Sequence, residues 1–132
     1  MNGMDTARIA DTATVLRAVR PFHLLDESEL LLIARHARQR RFDPGAVLLA
    51  AGSVAEFLFV GCAGAALTPL GPAVPVFDAP SVLFGLPVRA DHHAGPQGFT
   101  ALCLAKPHLF TIARECPDFI VGLAALEREG RA

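Results

Sequence analysis

The feature that most constrains the fold is an ordered series of short apolar runs between Arg40 and Gly64, separated by glycines and a Pro-Gly pair. Pro44 holds φ at about −65°, as the second position of a tight turn requires. Gly45 accepts the positive φ that often follows. Gly52 and Gly64 follow apolar runs at points where an antiparallel sheet bends and a Cβ is disfavoured. The series predicts a strand, a turn, a strand, a corner and a third strand.

Helical patterns flank these strands on both sides. Residues Thr6 to Ala18 have apolar side chains about one turn apart, and Asp26 with Glu29 forms a capping-box pattern at the start of a second helix. Pro117 can begin a last helix. We therefore predict one domain over residues 1–132, with N-terminal helices at 6–39, a β-roll at 40–106 and C-terminal helices at 107–130.

The middle of the chain is rich in glycine and proline, which predicts only short edge strands near residues 65–67 and 74–77. Residues 81–90 are predicted to form a turn or a short helix, and residues 92–98 a loop. Phe99 to Leu104 is apolar and rich enough in strand formers to predict a strand. A short helix is expected at 107–113.

Composition and charge exclude several functional classes. The net charge is −1, with 12 basic and 13 acidic residues, so the sequence lacks the basic excess typical of nucleic-acid binding. The three cysteines have no Cys-x-x-Cys spacing, which indicates free, mostly buried thiols in a reducing compartment. No apolar run approaches the roughly 20 residues of a membrane span, and no signal-peptide pattern is present. We predict a cytoplasmic protein that does not bind a membrane.

The order of these elements resembles the cyclic-nucleotide-binding domain, the β-roll sensor of catabolite-activator and Fnr-type regulators. Val19, Phe22 and Leu25 fill an apolar-x-x-Phe-x-x-Leu signature of that family. Residues 41–52 match its strand, Pro-Gly turn and strand, and residues 117–119 match the Pro-x-aromatic opening of a later helix. The resemblance covers about residues 16–126. It implies a mainly β fold with flanking helices, a double-stranded β-helix or jelly roll, and a regulatory role in signal transduction. A generic small antiparallel barrel accounts for the glycines but accounts less readily for the flanking helices.

In that family a phosphate-binding cassette begins with Gly-Glu and ends with Arg and a small residue. The glutamate accepts a hydrogen bond from the ribose 2′-hydroxyl, and the arginine pairs with the cyclic phosphate. The best alignment places Ala79 and Pro80 over Gly-Glu. Proline has neither a carboxylate nor an N–H group. A second register, with Gly85 over the glycine, puts Leu86 over the glutamate, so both registers lose the acid. The candidate ligand-binding residues are Ala79, Pro80, Ser81, Leu83, Phe84, Arg89 and Ala90.

The resemblance therefore implies a stand-alone sensor or regulatory module with altered or lost cyclic-nucleotide binding. Cyclic AMP or cyclic GMP is disfavoured as a ligand, and a small anionic or apolar ligand near Arg89 is favoured. The alternative is a ligand-free scaffold that binds another protein or forms a homo-oligomer. Family members that bind DNA add a winged helix-turn-helix after the roll, and few residues follow Pro117, so we predict no direct DNA binding. No catalytic motif is present, and neither an enzyme nor a metal or other cofactor is predicted.

Two further clusters have alternative interpretations. Arg35, Arg38, Arg40 and Arg41 form the one basic concentration in the sequence; they predict a solvated face, or else a patch for an acidic or nucleic-acid partner. His92 and His93, beside Asp91, are interpreted as a loop pair rather than metal ligands. Arg89 is either an anion ligand, a solvated side chain or an ion-pair partner of Asp91.

Overall fold

Two helices and a short 3₁₀ helix precede the sheet in the computed structural model, which describes residues 3–19, 21–73, 76–77, 79–119 and 121–123. Helix α1 spans Gly3–Arg17, the 3₁₀ helix spans Phe22–Leu24, and α2 spans Glu27–His36. The capping box is confirmed. The Asp26 carboxylate accepts a hydrogen bond from the Glu29 N–H at 2.8 Å, and the Glu29 carboxylate accepts one from the Asp26 N–H at 2.9 Å.

One antiparallel sheet of six strands follows. Strand β6 is its centre and pairs with β1, β2 and β3, while β3 also pairs with β4 and β5. The predicted mainly β fold with flanking helices is confirmed. The strands are β1 (Arg38–Phe42), β2 (Val47–Leu49), β3 (Phe57–Thr68), β4 (Gly71–Pro72), β5 (Val76–Phe77) and β6 (His92–Ala105).

The remaining two helices with full bounds precede and follow β6 along the chain. Helix α3 spans Ala79–Phe84 and α4 spans Lys106–Glu115. Residues 117–119 and 121–123 are helical as well, so Pro117 begins a helical segment as predicted. The rest of the predicted C-terminal helix, to residue 130, lies outside the described residues. No helix in the described ranges has the length and apolar character that crossing a membrane requires.

Two boundaries differ from the sequence-based expectation. The loop predicted at 92–98 is wrong, because β6 begins at His92 and pairs there with Leu49 of β2. Strand β1 begins at Arg38, inside the segment that was expected to be helical up to residue 39. Part of the predicted edge strand at 74–77 is present as β5, whereas residues 74 and 75 lie outside the described residues.

The Pro-Gly turn forms as the sequence predicts. Ala46 donates its N–H to the carbonyl of Asp43 at 3.0 Å, and Gly45 has φ +80°. A positive φ at the third turn position, with proline at the second, is the requirement of a type II turn. The turn joins β1 to β2.

The core occupies both faces of the central strands. Leu58, Val60, Leu102 and Leu104 are buried on one face of β3 and β6, where cross-strand pairing places them side by side. On the other face Phe59 stacks on Phe77 with ring centroids 5.2 Å apart. The N-terminal and C-terminal segments also meet, because the fully buried rings of Phe22 and Phe119 lie 5.1 Å apart.

Candidate functional site

The segment aligned with the phosphate-binding cassette is a short helix followed by an extended stretch. Helix α3 contains Ala79 and Pro80 in its first turn, a position where proline is tolerated because the first N–H groups of a helix have no intrahelical acceptor. The Gly85 N–H donates to the carbonyl of Ser81 at 3.0 Å and closes the helix. The predicted turn or short helix at 81–90 is therefore present, and Arg89 and Ala90 lie just before β6.

Three hydrogen bonds tie this cassette to the loop between β2 and β3. Gly52 donates its N–H to the carbonyl of Val88 at 2.8 Å, and the Val88 N–H donates to the carbonyl of Ser53 at 2.7 Å. The buried hydroxyl of Ser81 accepts the N–H of Ala55 at 2.8 Å. The cassette and residues 50–55, named here the β2–β3 loop, are thus one hydrogen-bonded unit.

The structure divides the candidate residues between two sides of the cassette. Ala79, Ser81 and Leu83 are buried against the domain. Phe84 keeps 59% of its surface exposed, and Arg89 is exposed whereas Ala90 is half-buried. The packed residues therefore hold the cassette in place, and the exposed ones are those that a ligand could reach.

Two polar groups at the ends of this segment, Ser81 and Asp91, are already engaged. Asp91 accepts the backbone N–H of Ala51 at 2.8 Å, and the Ser81 hydroxyl accepts that of Ala55. Arg89 forms neither a hydrogen bond nor an ion pair within the part of the chain that the structure describes, so of its three interpretations the ion pair with Asp91 is not formed. Arg89 is the charged residue of the cassette, and its guanidinium is available for an anion.

His92 is a buried strand residue, so the interpretation of His92 and His93 as a loop pair is wrong. The His92 ring stacks on Phe77 with centroids 5.1 Å apart, and its Nδ1 lies 2.9 Å from the carbonyl oxygen of Ala90. Phe77 also contacts Phe99, with centroids 6.1 Å apart. These rings form an aromatic cluster directly behind the end of the cassette.

The cysteines are not arranged as a reactive site. Cys103 is buried in β6, as its apolar neighbours predict, and burial raises the pKa of its thiol above the ordinary value. Cys62 is exposed, contrary to the expectation of mostly buried thiols, yet desolvation raises the pKa of its thiol too. A raised pKa reduces the thiolate fraction and hence nucleophilicity. Within the described ranges no group of three or more His, Cys, Asp or Glu side chains could hold a metal ion.

Sequence reasoning missed the β2–β3 loop as part of the site. Two of its three contacts with the cassette are made by backbone groups on both sides, and backbone partners carry no residue signature. Gly52 predicts a sharp bend of the chain at this position, but it does not predict which residue its backbone N–H bonds to.

Comparison with solved structures identifies the fold. A protein of Geobacter metallireducens GS-15, assigned as cyclic-nucleotide-binding, superposes with a TM-score of 0.77 at 18% identity, covering 92% of this chain and 98% of that one. The regulatory domain of Toxoplasma gondii PKA, crystallised with cAMP, gives 0.72 at 18% identity over 94% of this chain and 50% of its own. The cAMP-bound PfPKA-R structure gives 0.72 at 14% identity over 84% and 42%.

The protein therefore has the fold of a cyclic-nucleotide-binding domain, and the predicted β-roll is confirmed. The chain spans half or less of the length of the two PKA regulatory structures. No protein-family model matches the sequence, and no curated protein matches it. At these identities the likeness establishes the fold, and function has to be argued from the site.

Proposed function

We propose that this domain is a sensor or regulatory module of cyclic-nucleotide-binding fold in which the cassette has lost or altered its binding of cyclic nucleotide. The observation that carries the proposal is Pro80, which lies in the first turn of α3 and which the sequence alignment places over the family's ribose-binding glutamate. A site that hydrogen-bonds a buried hydroxyl depends strongly on its partner, because the unpaired polar group costs about 1–3 kcal/mol. Proline offers no acceptor in its side chain.

The engagement of the neighbouring polar groups supports the same conclusion. Ser81 and Asp91 each accept a backbone N–H of the β2–β3 loop, so recruiting either one to a ribose would break its bond to that loop. Arg89 is exposed and unpaired among the described residues. We therefore propose that any ligand is a small anion, or an apolar molecule with an anionic group, that contacts Arg89 and the exposed ring of Phe84.

Isothermal titration calorimetry with cyclic AMP and cyclic GMP tests the loss of binding. The natural sequence is expected to give no saturable heat. The double variant Ala79→Gly, Pro80→Glu restores the family's opening residues and is expected to gain binding. A matched Ala79→Gly, Pro80→Gln variant, which lacks the charge, is expected to gain much less.

Arg89→Ala provides the second arm of this test. In the restored background it should abolish the gained binding, because the guanidinium pairs with the cyclic phosphate. Saturable binding by the natural sequence that disappears in Arg89→Ala would refute the proposed loss. A restored variant that folds but stays silent would show that Pro80 does not occupy the glutamate position.

A ligand-free scaffold is the second candidate, and one observation favours it. Phe84, the last residue of α3, and Leu86, two residues later, keep 59% and 52% of their surfaces exposed. Exposed apolar pairs of this kind often mark a contact surface. Static light scattering of the natural protein and of a Phe84→Ser, Leu86→Ser variant tests self-association: a concentration-dependent mass that the variant abolishes supports the scaffold, and a strict monomer counts against an oligomerising role.

A further inference from the structure

A cleft that contains no residue of the cassette lies between helix α1 and the sheet. It has a volume of about 320 Å³ and is lined by Arg8, Thr12, Arg38, Gln39 and Leu102. Arg8 and Thr12 are four residues apart, so they lie on one face of α1. Gln39 and Leu102 are cross-strand partners in β1 and β6, so their side chains point to the same face of the sheet. One wall of the cleft therefore comes from the helix and the other from the sheet.

The hydroxyl of Thr12 is buried in this cleft without a hydrogen-bond partner. Only 9% of the Thr12 surface is exposed, and its side chain makes no hydrogen bond with any residue that the structure describes. Thr14, on the same helix, does make such a bond, because its hydroxyl donates to the carbonyl of Ala10 at 3.0 Å. A buried polar group without a partner destabilises a protein. An unpartnered hydroxyl at the wall of a cleft therefore points to a partner from outside the chain.

The other polar side chains of the cleft add donors and positive charge. Arg8 is exposed and forms no ion pair with the side chains described by the structure, so its guanidinium can donate to a ligand. The Gln39 side chain carries an NH₂ group that can donate as well. Arg38 donates through Nη1 to the carbonyls of Arg35 and Ala37, both at 3.2 Å. Its guanidinium is thus held at the end of α2 and adds charge to the cleft rather than a direct ligand contact.

These groups define the chemistry of the occupant. A ligand that pairs with a guanidinium, a hydroxyl and an amide NH₂ must present acceptor oxygens and a negative charge, as a carboxylate or a phosphate does. Among the described residues that line the cleft there is no carboxylate to repel it. The buried side chain of Leu102 adds apolar surface. The volume lies at the lower end of the range of small-molecule sites, about 300–1,000 Å³, which suits a small organic anion.

We propose that the cleft between α1 and β1 binds a small organic anion through the Arg8 guanidinium, the Thr12 hydroxyl and the Gln39 amide. These groups donate to its carboxylate or phosphate oxygens, and the apolar part of the ligand lies against Leu102. The bound anion joins the N-terminal helix to the sheet, because the donors come from both. This α1 site shares no residue with the cassette and does not depend on whether the cassette binds a ligand.

Benzoate and phenyl phosphate are the probes, since they share an aromatic ring and differ in the oxyanion, and benzamide is the uncharged analogue of benzoate. Heteronuclear NMR titrations measure the affinity for each compound and locate its site from the shifts of backbone amides. The oxyanions are expected to shift the amides of Thr12, Gln39 and Leu102 saturably, and the tighter one identifies the anionic group that the cleft prefers. No saturable shift with either oxyanion, or equal binding of benzamide, overturns the α1 site.

Variants of the two α1 donors test their roles. Arg8→Gln is expected to weaken binding on the order of tenfold, because it removes the charged donor. Arg17→Gln, at an exposed arginine of the same helix, is the matched control and should bind like the natural protein. Thr12→Val keeps the shape of the side chain and should weaken binding about fivefold. Unchanged binding in Arg8→Gln or in Thr12→Val contradicts the proposed contacts.

The stability of Thr12→Val without ligand is a second readout. Removal of the unpartnered buried hydroxyl should raise the midpoint of thermal unfolding, whereas Thr14→Val, which removes an exposed hydroxyl bonded to Ala10, should not raise it. A lower midpoint in Thr12→Val would show that the hydroxyl has a partner within the protein, which overturns the argument for the site.

Arg89→Ala separates the α1 site from the cassette. This variant should bind the probes like the natural protein, since Arg89 does not line the cleft. Binding that is lost in Arg89→Ala and kept in Arg8→Gln would assign the anion to the cassette and overturn the α1 site. Binding that is lost in Arg8→Gln alone supports the α1 site whatever the titrations with cyclic nucleotide show.

Discussion

A Cβ added at Gly64 would lie 2.2 Å from the carbonyl oxygen of Gly98. Both glycines have positive φ, +72° and +80°, and Gly64 pairs with Phe99, the residue after Gly98. Strands β3 and β6 therefore bend at the same place, and each bend brings backbone against backbone. The sheet can curve into a roll there because neither residue carries a side chain.

Gly64→Ala is expected to destabilise the domain by about 2–5 kcal/mol, since it combines a left-handed backbone penalty with a backbone clash. Gly52→Ala is the matched control: Gly52 has φ +88° but no atom within 4 Å of the added Cβ, so only the penalty of about 1–2 kcal/mol applies. Guanidinium denaturation gives both free energies of unfolding. Equal losses in the two variants would show that the close approach to Gly98 contributes nothing.

Ser81→Ala should cost about 1–3 kcal/mol, because it leaves the buried N–H of Ala55 without its acceptor. Ser53→Ala removes an exposed hydroxyl that donates to the carbonyl of Ala50, and water can replace that bond, so its effect should stay within about 0.5 kcal/mol. Denaturation measures the two energies, and amide exchange at Ala55 reports the lost bond directly. Unchanged protection at Ala55 in Ser81→Ala would contradict the assignment.

The contact between His36 and His108 predicts a pH-dependent stability of the domain. Their rings stack between α2 and α4, with centroids 3.9 Å apart. Desolvation first, then the charges of His108, Arg35 and Arg38, lower the pKa of His36 below 6.5. The unfolded chain then binds a proton more readily than the folded one, so the free energy of unfolding falls as the pH drops below about 6.5.

Denaturation between about pH 5 and pH 8 measures this dependence. His108→Gln removes the neighbouring charge and should reduce the pH dependence in part, since desolvation of His36 and the two arginines remain, whereas His23→Gln, at an exposed position, should leave it unchanged. An NMR titration of His36 follows its pKa separately from stability. A His36 pKa that does not rise in His108→Gln would disprove the coupling between the two rings.

Local features of the fold could be predicted from the sequence because their partners lie a few residues apart. The capping box joins Asp26 to Glu29, and the turn joins Asp43 to Ala46. The first half of β6 could not, because Gly95, Pro96 and Gly98 are turn-forming residues. Its strand conformation comes from pairing with β2 and β3, which are distant in sequence.

Strand β1 and the cassette likewise depend on residues that are distant in sequence, so they could be predicted only in part. The residues of β1 are polar on both faces because the strand lies at an exposed edge, so they show none of the apolar alternation that predicts a strand. For the cassette, the alignment of Pro80 with the family's glutamate can be made from the sequence alone. The hydrogen bonds of Ser81 and Asp91 cannot be predicted from the sequence, since their partners lie 26 and 40 residues away.

The bonds from Gly52, Val88 and Ala55 have a mechanical consequence. The β2–β3 loop that is bonded to the cassette also supplies Ser53 and Val54 to the wall of a groove that Arg40 of β1 lines. A displacement of the cassette by about an ångström would either break these bonds or move the loop with it. Movement of the loop would change the shape of the groove. The cassette and the groove therefore share one loop, so a displacement of either is expected to affect the other.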